Sequence, residues 1–259
     1  MTLADDFRRL HTEGVLVLPN AWDAASARLV ERAGAAAVAT TSGAVAWSLG
    51  VPDGNRLPLE LLAGAVERIA AAVAVPVTAD VEAGEPDVAA TVRAVLAAGA
   101  VGINIEDAAA PPAVLATRIT QAKQAAARRG VDLFVNARID LYLFGIGEPE
   151  GRLAETIARA AVYADAGADG IFVPGVIDLD LLRTLVTEIP LPINVLAGPH
   201  VPAVDELAAV GVRRVSVGTG LAQAAYAAAD RAARELLATG TYAALEDALS
   251  YGELQKLLA

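Results

Sequence analysis

The sequence predicts a closed parallel (β/α)8 barrel of the TIM type, and three observations carry that reading. Short β-branched runs alternate with longer alanine-rich stretches, and the unit recurs eight times. One phrase returns almost unchanged, as RAGAAAV from Arg32, LAAGAVGI from Leu96 and ADAGADGIF from Ala164, each a helix end that passes through glycine into a buried strand. The strand segments are apolar along their whole length, as strands are when helices cover one face and a packed interior fills the other. An open, doubly wound sheet is the alternative; eight strands joined by helices fit closure better.

Strands are expected at 15–18, 36–40, 75–79, 101–105, 133–137, 170–173, 193–196 and 213–217. Helices follow at about 24–33, 58–74, 86–98, 111–129, 150–166, 179–188, 201–210 and 221–239. Pro58, Pro86 and Pro111 stand at first-turn positions, where a missing N–H costs nothing, and Gly34, Gly99, Gly130, Gly167, Gly211 and Gly240 follow helix ends. No linker or shift of composition interrupts the pattern, so residues 1–259 read as a single domain. Two features exceed the minimal barrel. The connection 41–57 after the second strand is long and carries Trp47 and Pro52-Asp53-Gly54, and long loops at this end of a barrel usually act. Beyond Gly240, an extension of about 241–259 reads as an extra amphipathic helix over 242–258, packed on its own barrel or docked on a partner subunit.

Counts remove several chemistries. With 55% apolar and 20% charged residues the chain folds, yet no apolar run approaches the roughly 18 residues of a spanning helix. Arg8 and Arg9 are followed by polar residues where a secretory signal needs an apolar stretch, so the expected compartment is the cytoplasm. The absence of cysteine excludes disulfides, thiolate metal sites and thiol nucleophiles, and two histidines, His11 and His200, exclude a three-histidine metal site. Lys123 and Lys256 lie away from strand ends, which argues against a Schiff base. A net charge of −11 with scattered basic residues argues against nucleic acid and anionic membrane as partners. What remains is carboxylates, Arg, Asn, hydroxyls and a hard metal.

In a barrel the site forms where strands end, so what each strand delivers there matters. Mostly it is acid. Asp53 lies in the long second loop, Asp80 and Glu82 end the third strand, Glu106 the fourth and Arg138 the fifth, while Asn194 opens the seventh. Asp80 and Glu82, two apart on an extended segment, are expected on one side, with Glu106 at the same height on the neighbouring strand. Crowded carboxylates ionise together only when a cation neutralises them, and an all-oxygen set suits Mg2+ or Mn2+. The plainer alternative is that each acid caps the helix that follows. Arg138 would clamp a substrate carboxylate through parallel hydrogen bonds or, alternatively, pair with Glu106 or Asp140. The backbone at Ser42, Gly43 and Ala44 would offer amides to an oxyanion, and Trp47 would line the pocket or simply pack.

Taken together, LPNAWDAASA from Leu18, TTSG from Thr40, PDG from Pro52, ADVEAG from Ala79, GINIED from Gly102, NARID from Asn136 and PINV from Pro192 resemble the isocitrate lyase/phosphoenolpyruvate mutase superfamily. The motifs occur in order over about residues 5–220. The resemblance implies a homodimer or homotetramer that exchanges its eighth helix, and a Mg2+ site that serves 2-oxo acids through enolate-like intermediates. It implies Asp80 as direct metal ligand, with Asp53, Glu82 and Glu106 holding the ion directly or through water. Ser42, Gly43 and Ala44 match the segment binding substrate carboxylate and oxo group, Arg138 the anion-binding arginine and Asn194 a further contact; Asp53, Glu106 and Arg138 form the catalytic set.

Departures narrow the activity. The isocitrate and methylisocitrate lyases carry a Lys-Lys-Cys-Gly-His gating loop after the fourth strand, where this chain reads Ala108-Ala-Ala-Pro-Pro-Ala. Gly175 stands where those lyases have a glutamate, and Asn104 where they have a histidine. Neither lyase activity is expected, and the Ala/Pro loop also lowers the case for phosphonopyruvate chemistry. The expected function is Mg2+-dependent C–C cleavage or decarboxylation of a small 2-oxo carboxylate of the oxaloacetate type, with water or Tyr142 supplying a proton. The rivals are a phosphate site at Gly198, Gly218 and Gly220, a phosphonopyruvate-type enzyme, and a barrel that binds a 2-oxoglutarate-like acid without turning it over.

Overall fold

The computed structural model describes residues 2–259. The chain enters through helix α1 (Leu3–Leu10), strand β1 (Leu16–Leu18), β2 (Asn20–Ala21), α2 (Ala24–Arg32), β3 (Val38–Thr40), α3 (Ser42–Ser48) and α4 (Leu59–Ala72). It continues through β4 (Val77–Asp80), α5 (Val88–Ala97), β5 (Gly102–Glu106), α6 (Pro112–Ala127), β6 (Phe134–Arg138), α7 (Arg152–Asp165), β7 (Gly170–Phe172) and α8 (Leu179–Glu188). It ends with β8 (Ile193–Leu196), α9 (Val204–Ala209), β9 (Arg214–Ser216), α10 (Gly220–Thr239) and α11 (Tyr251–Leu258).

All strand pairs are parallel, in the order β1-β9-β8-β7-β6-β5-β4-β3-β2. The two ends of that order, β1 and β2, are separated in the chain by Pro19 alone. They are one strand, broken because proline has no N–H to give the ladder. Its first half pairs with β9, Leu18 opposite Ser216, and its second with β3, Asn20 opposite Ala39. The eight expected strands are therefore all present and the barrel closes, which removes the open-sheet alternative. The principal apolar cluster includes Ala79, Ile103, Ile105, Val135, Ala137, Ile171, Val195 and Val215 of the strands, with Val92, Leu115, Ile119, Leu182 and Leu185 of the helices.

Three elements differ from expectation. Helix α1 has only Ala4 and Phe7 buried, and its apolar stripe of Leu3, Phe7 and Leu10 spans just two turns; it is fixed by a capping box between Thr2 and Asp5. Phe7 packs with Leu16, Leu18, Ala37, Ala39 and Phe134. Gly102 permits this, since a Cβ there would lie 2.7 Å from the Phe7 ring. Helix α3 occupies the start of the connection expected to be loop. The C-terminal extension is not one helix: Glu235 collects the amides of Ala243 and Ala244 and the Thr241 hydroxyl, turning the chain back, and Ser250 then caps the short α11. Helix α11 rests on α2 of its own barrel. Among the described residues no helix is long and apolar enough to cross a membrane.

His11 stacks on Phe134 with ring centroids 3.9 Å apart, and its Nδ1 lies 2.8 Å from the Phe7 carbonyl. Burial, reinforced by Arg214, pushes the imidazole down from 6.5 to about 3. Between those values an unfolded chain holds a proton that the folded one refuses. Stability from neutral His11 is thus complete above about pH 6.5 and lost as pH falls toward 3. His11→Phe keeps the stacked ring, and its urea-unfolding free energy should fall less than that of the parent between pH 7 and pH 5, by on the order of 1–2 kcal/mol; equal falls would remove the role assigned to His11.

Candidate active site

The strand ends converge on a cavity of about 150 Å3. Asn20, Ser42, Asp53, Asp80, Asn104 and Arg138 form a polar arc, continued by Ser216 and Thr219; Leu143, Phe172, Pro174 and Leu196 form the apolar arc opposite. Of the residues singled out in the sequence, Ser42, Asp53, Asp80 and Arg138 therefore share one wall. A second cavity, of about 240 Å3, adjoins it: Ser42 and Asp80 line both, and Glu82 lines only the second.

Asp80 is placed by lacing between strand ends. Its amide donates to the Thr40 hydroxyl at 2.9 Å and its Oδ2 accepts from the Ser42 amide at 2.9 Å. Glu82 arrives differently from the expected extended segment. Strand β4 stops at Asp80, and Glu82 adopts a left-handed φ of 51°, which aims its carboxylate at the Asn55 amide. Asn55, Ala108 and Ala109 are also left-handed. All four non-glycine residues of this kind lie in loops that leave strand ends at this rim, where strain is held by the surrounding contacts.

Ser42, Gly43 and Ala44 form the first turn of α3. The Ser42 amide is taken by Asp80, whereas the amides of Gly43 and Ala44 have no partner among the described residues. Gly43 is needed for close approach: a Cβ would meet Asp53 Oδ2 and the Thr219 methyl, both at 3.0 Å. Glu106 and Arg138 face each other in register, with Nη1 to Oε2 at 2.8 Å, and Arg138 Nε donates to Asp140 at 2.6 Å. The alternative of a structural pair thus holds with both acids, and Nη2 is left for a ligand.

Burial dominates the electrostatics. It raises Glu82 to about 7 against the hydrogen bond from Asn55, with Asp53 and Asp80 adding to the rise. It raises Glu106 to about 8, outweighing Arg138, with Asp80, Asp140 and Glu82 contributing. One arginine does not neutralise this much acid. Among the described residues no three acids gather into a ready cage. The set instead fits a largely hydrated Mg2+ or Mn2+, which takes one or two carboxylates directly and reaches the rest through water. Asp80 has Oδ1 uncommitted for direct contact.

Several expected contacts fall elsewhere. Trp47 is 37% exposed and Asn194 fully buried, and neither lines the cavity. The Asn194 carboxamide accepts from Ser216 Oγ at 3.3 Å, one step toward the bottom of the barrel. Gly43 and Ala44 are buried behind Ser42, and Tyr142 packs against the core instead of the cavity. Gly198 and Gly220 also lie off the wall, and Gly218 is there only beside Asn20, whose Oδ1 holds its amide at 2.8 Å.

Sequence reasoning missed Asp107, which is buried and saturated. It accepts from Arg159 Nη1 at 2.7 Å, the Tyr163 hydroxyl at 3.0 Å and the amides of Ala109 and Asp140, both at 3.1 Å. It therefore fixes the left-handed turn after β5 and, through Asp140, the Nε side of Arg138. No short spacing announces this, because Arg159 and Tyr163 come from α7.

Residues 7–237 match the family model for phosphoenolpyruvate phosphomutase. The chain belongs to that family. The family member is 41% identical over 263 residues to an uncharacterized protein of Mycobacterium tuberculosis, covering 97% of this chain and 95% of the relative. It is 36% identical over 197 residues to an oxaloacetate decarboxylase of Rhodopseudomonas palustris, covering 73% and 67%. Among solved structures, a putative lyase/mutase from Burkholderia cenocepacia superposes with a TM-score of 0.89 at 38% identity, covering 99% of this chain and 95% of the other. A phosphonopyruvate hydrolase complexed with oxalate and Mg2+ superposes with a TM-score of 0.85 at 26% identity, covering 99% and 95%.

Tyr163→Phe removes one of the donors to Asp107 without opening a cavity. The variant should fold with the parent's circular-dichroism spectrum and lose roughly 0.5–1.5 kcal/mol in urea unfolding. An unchanged unfolding midpoint would show that the hydroxyl contributes nothing to the anchor.

Proposed function

We propose that this protein is a Mg2+-dependent carbon–carbon lyase acting on a small 2-oxo carboxylate, of which oxaloacetate is the simplest, by cleavage or decarboxylation through an enolate-like intermediate. One observation carries the reading: Asp80, Asp53, Arg138 and the start of α3 border a single small cavity at the C-terminal ends of the strands. The relatives named for oxaloacetate decarboxylation and the Mg2+ complex of a structural neighbour support it.

Asp80 would hold the ion directly, with Asp53, Glu82 and Glu106 reaching its water shell. The bound ion would supply an electrophile for the substrate's 2-oxo oxygen. The chain's own residues do the rest. Arg138, steadied by Glu106 and Asp140, offers Nη2 to the substrate carboxylate. Ser42, at the start of α3, is the one residue of that turn on the cavity wall and would orient the substrate's oxo end from there. The cavity wall carries Asp53, Asp80 and Arg138 as its ionisable groups and no tyrosine, so the enolate-like carbon takes its proton from water.

Isocitrate and methylisocitrate are poor candidates. At Gly175, where those lyases place a glutamate, a Cβ would lie 2.9 Å from the Leu143 amide nitrogen and 3.0 Å from the Tyr142 carbonyl carbon, so no side chain enters there.

Asp80→Ala should lower Mg2+-supported turnover of oxaloacetate by at least ~100-fold in a pyruvate-release assay, and chelation should do the same to the parent. An undiminished rate in the variant refutes the assignment, and Mg2+-dependent calorimetric binding without product would favour the non-catalytic alternative.

The same reading includes a homodimer or homotetramer that exchanges α10. That helix buries only Ala222 against its own chain and exposes Leu221, Tyr226, Leu236 and Leu237, while Val17 on the outer face of β1 is left 43% exposed. Light scattering should return twice or four times the 26.4 kDa chain mass, and deletion of 220–259 should give monomer or aggregate; a monomeric parent would refute exchange.

A further inference from the structure

We infer that the apolar arc selects a substrate whose third carbon bears an alkyl group and excludes one bearing a second charged arm at that carbon. The inference rests on the proposed 2-oxo acid chemistry and goes beyond it by naming the substituent. Phe172 and Leu196 lie on β7 and β8, and Leu143 and Pro174 in the loops that follow β6 and β7, so together they line the side of the cavity away from the polar arc. No cation lies on it. Arg138 stands at its border, already paired with Glu106 and Asp140. A carboxylate pressed there would lose its hydration with no partner in return, whereas a methyl or ethyl group would gain from leaving water.

The wall is built, not left over. Gly175 has φ 91°, and the missing side chain lets the backbone of Tyr142 and Leu143 lie against it. From the other side Arg152 donates to the carbonyls of Gly145, Ile146 and Gly147 at 2.9–3.0 Å, which holds the turn that carries Leu143. These contacts hold the backbone of the turn that carries Leu143, whose side chain lines the cavity while staying 39% exposed.

The same surface suits loss of CO2. In a 2-oxo acid with a carboxylate on its third carbon, the bond to that carboxylate breaks and its electron pair forms the enolate. The carboxylate departs as neutral CO2, and the third carbon then takes a proton from water, leaving hydroxide. Negative charge moves away from the apolar arc toward Arg138.

The test compares Mg2+-supported kcat/KM for oxaloacetate, its 3-methyl derivative and oxalosuccinate, which replaces the methyl by a carboxymethyl arm, with calorimetry of oxalate as control. The 3-methyl acid should exceed oxaloacetate by about tenfold and oxalosuccinate by at least ~100-fold. In Leu143→Ala, and separately in Gly175→Ala, the methyl preference should shrink to about twofold or less, and Leu143→Arg should raise the relative rate with oxalosuccinate. Turnover of oxaloacetate with no methyl preference, or equal use of oxalosuccinate, overturns the wall while leaving the proposed reaction standing. Failure to bind oxalate or to turn over any of the three acids overturns the reaction, and the wall with it.

Discussion

Closure of the parallel sheet across Pro19 is the constraint from which the rest follows. A strand broken at one residue pairs with β9 on one side and β3 on the other, and the residue after the break bridges the seam. Asn20 donates to the Thr40 carbonyl at 2.8 Å and accepts from the amides of Val217 and Gly218 at 3.0 and 2.8 Å. That side chain ties the ends of β3 and β9 together beneath Ser42, Asp53 and Thr219. Without closure, the polar arc from β9 round to Arg138 of β6 and the apolar arc from the loop after β6 to β8 would not face each other across one small cavity.

The barrel interior has an unusual composition for a core, and closure explains how it is tolerated. Arg214 is fully buried and pushed down to about 9 by that burial, with Asp80 pulling the other way. Its Nη2 reaches Asn104 Oδ1 at 3.3 Å, and the same oxygen accepts from Asn136 at 2.6 Å. Arg214 Nε and Nη1 find no partner among the described residues, so this polar layer below the site is retained at a cost in stability. Its effect is to place a positive centre under the crowded carboxylates, on the side opposite to Arg138.

Much of this was legible in the sequence because of one physical circumstance. Strands buried on both faces are apolar throughout, and helices that turn back onto them end in glycine, so β5 or β7 announces itself. The acids at strand ends were legible for the same reason, since a strand end is where a polar residue meets the rim. Other features leave no local trace. In α1, LADDFRRL is too short for its apolar stripe to stand out, and most of the partners of Phe7, Phe134 and Gly102 among them, lie far along the chain. In α3, SGAVAWS carries no capping signal, and the turn is held from outside by Asp80. Asp107, Arg159 and Tyr163 are scattered over 57 positions, and Leu143 acquires its place through a glycine on the next loop. Rim residues legible from strand ends are thus the charged ones; the uncharged ones that shape specificity depend on loop packing.

The raised carboxylates tie the two kinds of residue together. An acid whose folded pKa lies above its unfolded one holds a proton that the unfolded chain has released. Glu82 and Glu106 therefore withdraw stability as pH rises from about 4.5 through 7 and 8. Near neutral pH the folded rim either keeps protons on these groups or accepts a cation in their place, and a cation that binds only the folded form restores the stability that ionisation removes. Under the proposed chemistry a 2-oxo acid would bring further negative charge to this rim, and metal and substrate would bind more tightly together than apart. The apolar arc has no part in that coupling, because it carries no charge. Affinity for the acid head is thereby separated from choice of the third-carbon substituent, and Leu143, Phe172, Pro174 and Leu196 are free to change without disturbing the electrostatics at Asp80.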